Sequence, residues 1–151
     1  MFTVTLQNKT FNLSEKTPIL SLVDNPKNYY AAKVNNRLRE LTYELSFDSK
    51  VELLTLTNND AVKVYETSLR YLVAMAFYNV YPDADIKISY AISRSLQVNS
   101  LGKNKLQLGS SVIKAITAEM KRLVELDLPF EKCTMTNEEA AKYYTETSQA
   151  S

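Results

Sequence analysis

The residue types that most often carry enzyme chemistry are scarce in this chain of 151 residues, which has no histidine, one cysteine and two glycines. Cys133 has no imidazole with which to form a nucleophilic pair. The common zinc ligand sets are excluded, so only carboxylate sites for hard cations remain. Gly109-Ser110-Ser111 lacks the lysine that a phosphate-binding loop requires. The sequence therefore predicts no catalytic residue and no metal site. We expect Ser110 or Ser111 to cap a helix, and Cys133 to be a buried structural thiol.

Composition limits the function classes further. Lys and Arg number 18 against 17 Asp and Glu, a net charge of +1, which argues against a dedicated nucleic-acid binder. Apolar residues make up 45% of the chain, as in soluble globular proteins. No apolar run is long enough to span a membrane, and the first ten residues lack the features of a signal peptide. We expect a cytoplasmic protein with no membrane partner, in keeping with a single cysteine.

Residues 1–57 predict a small β-rich unit. Alternation at Phe2, Val4 and Leu6 indicates a strand of a hairpin. Further elements are predicted in the order of the chain: the second hairpin strand around Phe11 and Leu13, a helix opened by Thr17-Pro18 and buried through Ile19, Leu20, Leu22 and Val23, a strand from Tyr29 to Val34, a tight turn at Asn35-Asn36, and a strand from Val51 to Leu56. The expected order is ββαββ, with the helix packed across a mixed sheet.

The longest predicted helix runs from Ala61 to Tyr81 after a cap at Asn58-Asn59-Asp60. One apolar stripe includes Leu72, Ala76 and Phe77, and a second stripe includes Tyr71 and Tyr78. A helix that is apolar on two sides is expected to be central. The elements predicted after it are strands around Ile86 to Ile92 and from Leu96, a loop from Asn99 to Gly109, a helix from Val112 to Val124, a short strand from Lys132 to Met135, and a last helix opened by a capping box at Thr136 to Glu139.

Short motifs resemble known families. The run from Lys33 to Leu41, with Val34-Asn35-Asn36 at its turn, resembles a TGS domain, a ubiquitin-like β-grasp module. Tyr65 to Leu72, Tyr81-Pro82 and Leu126 to Phe130 resemble the second additional domain of threonyl-tRNA synthetase, which edits mischarged tRNA. Ile92 to Val98 and Leu128 to Lys132 are similar to bacterial uridine kinase-like proteins of the phosphoribulokinase/uridine kinase family. These resemblances imply an α+β chain: a TGS-like β-grasp domain at 1–57 and an editing-domain-like domain with a long central helix at 58–151.

The resemblance also places candidate site residues. Thr67 and Tyr71 stand where the editing family has histidines, four residues apart on one helix face. Neither titrates near neutral pH as a general base must. Together with Arg94 they form the candidate ligand cleft, although Tyr71 is more simply interpreted as packed core. Arg37, Arg39 and Arg70 are candidate surface basic groups. With Arg94, Lys103 and Lys105 they line a groove for phosphate, RNA or nucleotide, or form an ordinary solvated surface.

Three functional hypotheses follow. The leading one is a non-catalytic regulatory or ligand-binding N-terminal region of a uridine kinase-like protein, which binds a small-molecule nucleotide and whose kinase domain, with its ATP and Mg, lies downstream. The chain itself then needs no cofactor. The alternative is an RNA- or tRNA-binding accessory module related to threonyl-tRNA synthetase, without editing activity. The third is a surviving hydrolase that uses Thr67, Tyr71 and carboxylates such as Glu66, for which we expect no turnover.

Overall fold

The computed structural model describes residues 1–90, 95–102, 105–131 and 133–146. Its elements, in chain order, are β1 (Phe2–Leu6), β2 (Lys9–Leu13), β3 (Thr17–Pro18), β4 (Ala31–Val34), β5 (Arg37–Arg39), β6 (Glu44–Leu45), β7 (Ser49–Leu54), α1 (Asn59–Val80), β8 (Asp85–Tyr90), β9 (Leu96–Leu101), α2 (Ser110–Glu125) and α3 (Asn137–Glu146), with short 3₁₀ turns at Ile19–Leu22 and Pro26–Asn28. Sheets and helices are mixed along the chain, so the α+β class is confirmed. None of the described helices is long and apolar enough to cross a membrane.

A five-stranded mixed sheet occupies the first third of the chain. Its strand order is β2-β1-β7-β4-β5, and β1 lies parallel to β7 and antiparallel to β2. Alternation in β1 buries Val4 and Leu6, which pack with the fully buried Ile19 and Leu45. The predicted hairpin of β1 and β2 is confirmed. A strand also precedes the Asn35-Asn36 turn, as predicted. The turn itself is confirmed, because Asn35 and Asn36 adopt φ angles of 47° and 66°.

The helix predicted after Thr17-Pro18 is wrong. Thr17 and Pro18 pair with Leu45 and Glu44 as a two-stranded ladder, and only the 3₁₀ turns Ile19–Leu22 and Pro26–Asn28 follow before β4. The backbone N–H groups of Ile19 and Leu20 donate to distant carbonyls in the loop before β6, at 3.1 and 2.8 Å. These long-range bonds hold the segment against the loop before β6. Strand β5, which pairs antiparallel with β4, was predicted only as a connecting piece.

Helix α1 connects the five-stranded sheet with the second half of the chain. Its predicted limits are confirmed to within two residues. Near its start the fully buried Ala61 packs with Ala31 and Leu54 of the sheet. Further along, Ala76 and Phe77 pack with buried residues of α2 and with β8 and β9. The prediction of a second buried stripe is wrong, because Tyr71 is 55% exposed and Tyr78 is 46% exposed.

The last part of the chain departs from prediction at three points. Helix α2 follows Gly109 at its N-cap, with no side-chain cap from Ser110 or Ser111. Residues 133–135 form no strand, and Lys132 lies outside the described residues. The thiol of Cys133 is exposed rather than buried. The capping box before α3 is confirmed: Thr136 Oγ1 accepts from Glu139 N at 3.2 Å, and Glu139 Oε2 accepts from Thr136 N at 2.8 Å.

Candidate functional site

Helix α1 positions Thr67 and Tyr71, the two residues of the predicted ligand cleft that the structure describes. The helix begins after Asn58, whose side-chain oxygen accepts from Asp60 N at 2.9 Å and so satisfies one free N–H of the first turn. The Thr67 hydroxyl donates to the backbone carbonyl of Lys63 at 2.8 Å. Its proton is therefore committed to the helix itself.

Tyr71 lies at the surface against Phe130, the two ring centroids being 5.4 Å apart and the planes tilted by 59°. The interpretation of Tyr71 as packed core is therefore wrong, because more than half of its surface meets solvent.

Thr67 and Tyr71 line different cavities. Thr67 borders a cavity of about 290 Å³ between Leu38 and the first turns of α1. Tyr71 borders a separate groove of about 640 Å³. Two side chains four residues apart on a helix lie on neighbouring but not identical parts of its surface. The loop after α2 lines the groove of Tyr71 but not the cavity of Thr67. The structure therefore does not bring the two predicted cleft residues into one site.

We call the groove beside Tyr71 the aromatic groove. One wall is α1 between Tyr65 and Met75, and the other is the end of α2 with residues 127–131. Apolar side chains dominate its lining, and several remain open to solvent: Tyr65, Tyr71, Val124, Leu128 and Phe130 are 44 to 70% exposed. An exposed apolar surface of this kind is typical of an interaction site.

The predicted basic groups do not form one cluster. Arg37 and Arg39, two residues apart on β5, lie on the same face of that strand. The Arg39 guanidinium lies 4.9 Å from the centre of the Tyr43 ring, a cation–π contact. Arg70 lies half-buried on α1, and none of the cavities described here contains it with either of the other two. Arg94 and Lys103 lie outside the described residues.

One cation near β5 is neutralised. Lys33 Nζ lies 3.0 Å from Asp60 Oδ2. The hydrogen bond and the charge of Lys33 lower the pKa of Asp60, and Asp60 in turn raises the pKa of Lys33. The pair joins the sheet to the first turn of α1, and little net charge remains there for an anionic ligand.

A second cavity, which we call the lysine cavity, has a cationic lining. It measures about 860 Å³ and lies between the β8–β9 hairpin and residues 105–108. Its two charged lining residues are Lys87 and Lys105, and Ser89, Asn99 and Gln107 add polar groups. The buried Ser100 hydroxyl accepts from Leu106 N at 2.8 Å and holds the loop against β9. The sequence singled out Lys105 but missed Lys87. The alternation of Ile86, Ile88 and Tyr90 already placed Lys87 on the opposite face of its strand.

No catalytic or metal-binding cluster accompanies these cavities in the part of the chain that the structure describes. Among those residues, no three His, Cys, Asp or Glu side chains lie close enough together to hold a metal ion. Cys133 is exposed and unpaired with any other cysteine. The chemistry available at both cavities is hydrogen bonding, charge and apolar contact.

Comparison with known proteins gives one consistent group of relatives. The chain is 28% identical over 114 residues to a threonine–tRNA ligase of Desulforamulus reducens, covering 76% of this chain. It is 27% identical over 119 residues to the ligase of Acetivibrio thermocellus, covering 79% of this chain. It is 30% identical over 120 residues to the ligase of Methylococcus capsulatus, covering 80% of this chain. The matched region is 18% of the length of each of these ligases. No protein-family model matches the chain.

These relatives bear on the resemblances drawn from the sequence. The similarity to threonyl-tRNA synthetase is confirmed. The link to uridine kinase-like proteins, and with it the expected downstream kinase, gains no support from these ligases. They favour the alternative hypothesis, an accessory module related to the synthetase.

Proposed function

We propose that this chain is an RNA-binding accessory module related to threonine–tRNA ligases, which contacts tRNA and has no editing activity. The observation that carries the proposal is its similarity to these ligases over about three-quarters of its length. The proposed ligand is tRNA because the relatives are named for that substrate. The expected location is the cytoplasm, and no cofactor is required.

The proposal includes two parts within the chain. Residues 1–57 are a TGS-like β-grasp domain, and residues 58–151 are similar to the synthetase editing domain. The strand order β2-β1-β7-β4-β5, with its parallel central pair, supports the β-grasp assignment. Two 3₁₀ turns, Ile19–Leu22 and Pro26–Asn28, stand where the sequence predicted a helix packed across the sheet. The separate cores of the sheet and of α1 with α2 support the division.

The lysine cavity is the proposed contact with the RNA backbone. Lys87 and Lys105 are exposed, and no carboxylate belongs to the described lining. Neutral donors beside lysines suit phosphate and ribose hydroxyls. Arg94 lies outside the described residues and stays a candidate from the sequence alone. A net charge of +1 does not oppose this, since a local cationic patch is sufficient for phosphate contact.

Loss of editing rests on the residues at the two histidine positions. The Thr67 hydroxyl is bonded to Lys63 O, and Tyr71 packs on Phe130. Imidazole is the side chain that most often activates a hydrolytic water as a general base, and the chain has no histidine. Purified chain mixed with seryl-tRNA specific for threonine should release no serine above the buffer rate. Measurable turnover would favour the hydrolase hypothesis.

Titration with fluorescently labelled threonine tRNA, at 50 and 200 mM salt, tests the binding proposal. We expect the affinity to fall steeply with salt, because phosphate contacts release counterions. The double variant Lys87→Ala/Lys105→Ala should weaken binding and reduce the salt slope by about two. The matched control Lys16→Ala/Lys27→Ala removes two exposed lysines of the first third of the chain. Equal loss in both variants would show that only general charge matters and would refute the assigned surface. Absence of binding at 50 mM would refute the function.

A further inference from the structure

The aromatic groove shares no lining residue with the lysine cavity, so the proposed phosphate contact leaves it uncovered. Phe130 is 70% exposed, Val124 61% and Leu128 57%, which is unusual for large apolar side chains that lie side by side. Their exposure costs free energy unless another surface covers them. The groove is therefore a docking surface whose occupant can be inferred from length and charge.

The length of the groove matches a short helix. Its α1 wall runs from Tyr65 to Met75, ten helical steps and about 15 Å at the helical rise. Tyr65, Leu69, Leu72 and Met75 recur along this wall at spacings of three and four, so they form one continuous apolar stripe. A stripe facing a second wall is the geometry in which an amphipathic helix docks through residues at i, i+3, i+4 and i+7.

The charge of the groove selects among occupants. Among the described residues that line it, the charged ones are Asp127 and Glu131, both anionic. Within the described part of the chain neither carboxylate is in an ion pair. RNA phosphates would be repelled by them. Helix α3 of the same chain carries Glu138, Glu139 and Glu146 against a single lysine, so it is a poor occupant as well. Symmetric pairing of two copies would bring the same carboxylates together.

We propose that the aromatic groove binds a basic amphipathic helix of a partner protein. Apolar residues of that helix contact Tyr71, Leu128 and Phe130, while its flanking lysines or arginines approach Asp127 and Glu131. The site is separate from the lysine cavity, so this inference does not depend on RNA binding.

Fluorescence anisotropy with two synthetic peptides tests this proposal. The first is a fluorescein-labelled 14-residue helix with Leu at i, i+3, i+4 and i+7 and Lys elsewhere. The second replaces every Lys with Glu. We expect saturable binding of the Lys peptide and at least about tenfold weaker binding of the Glu peptide, because complementary charge decides between partners of equal shape. Absence of binding by the Lys peptide, or equal binding of both peptides, would overturn the proposal.

Two pairs of variants test where the Lys peptide binds. Phe130→Ala should lower the affinity of the chain for the Lys peptide by about tenfold, as expected for a central aromatic anchor. Phe47→Ala, at a phenylalanine that is 46% exposed on the five-stranded half, should leave the affinity unchanged. Glu131→Lys should weaken binding, while Glu15→Lys, with the same change of net charge, should not. Circular dichroism checks that all four variants fold. Equal effects within either pair would overturn the assigned surface.

Other occupants give distinct results. Sedimentation of the wild-type chain that shows a dimer dissociated by Phe130→Ala would assign the groove to a second copy instead. Loss of labelled-tRNA binding in Phe130→Ala, measured without peptide, would assign it to nucleic acid. Either result would contradict a helical partner. A monomer that binds the Lys peptide, and whose tRNA affinity is unchanged by Phe130→Ala, supports a helical partner.

Discussion

Leu54 occupies the position where the five-stranded sheet meets α1, and its replacement by alanine tests how strongly they are joined. Leu54 is 2% exposed and packs with Ala31 and Ala61. The substitution removes three carbons, worth about 2.4 kcal/mol at about 0.8 kcal/mol each. A cavity adds to this loss, and measured Leu-to-Ala costs reach about 5 kcal/mol. Because alanine neighbours have no rotamers with which to fill the space, we expect a loss of about 3–4 kcal/mol.

Urea unfolding followed by far-ultraviolet circular dichroism measures this loss. With a slope of about 2 kcal/mol per molar, the midpoint for Leu54→Ala should fall by about 1.5–2 M. Leu56→Ala is the matched control, since Leu56 lies two residues further along and is 41% exposed. Its cost should stay below about 0.5 kcal/mol. A loss under about 1 kcal/mol for Leu54→Ala, or equal shifts for both variants, would refute the packing described here.

Three further predictions concern single interactions. Asn58→Ala should lower stability by about 1 kcal/mol, because it removes the N-cap of α1, while Asn58→Asp should keep most of it in the same urea assay. The pKa of Glu119 is lowered from 4.5 to about 2 by hydrogen bonds from Arg122 and Asn79, so its stabilising effect is complete above about pH 4.5 and is lost as pH falls towards 2. Thermal melts of Glu119→Gln should therefore lose less stability over that interval than those of wild type. Asn36→Val should cost about 1–2 kcal/mol by calorimetry because of the positive φ, and Asn36→Gly should be tolerated.

Local patterns in the sequence predicted those elements whose bonds are local. The β1–β2 hairpin, the Asn35-Asn36 turn and α1 each depend on alternation, on a turn residue or on a helical period, all within a few neighbouring residues. The helix expected after Thr17 failed for the opposite reason. Thr17 pairs with Leu45 across 28 positions, and no pattern within a short window reveals that partner. Strand β5 is similarly short and exposed, with no alternation of its own.

The same limit applies to the cavities. Local spacing places a residue on a helix or strand, but it does not show which distant residues share a cavity with it. The spacing of Thr67 and Tyr71 correctly placed both on α1, but spacing could not show that only Tyr71 meets Phe130. Lys87 and Lys105 share a cavity because the hairpin reverses the chain and Leu106 bonds to Ser100. Arg37 and Arg39 lie on β5, which was predicted only as a connecting piece, and Arg70 lies on α1. Which of these arginines share a surface depends on the packing of sheet against helix.

The chain has a net charge near zero, but it carries two surfaces of opposite charge. The charged lining of the lysine cavity is cationic, and that of the aromatic groove is anionic. Summing over the whole chain cancels these local charges, although ligands respond to the potential within about one Debye length, roughly 8–10 Å. Each surface therefore repels the ligand proposed for the other. The absence of histidine from α1 affects neither surface, because the proposed phosphate contacts at the hairpin and the apolar contacts of Tyr71 need no imidazole. Binding needs only complementary surface shape and charge, whereas hydrolysis needs a titrating group at one position. A fold can therefore keep a binding function without the residues that hydrolysis requires.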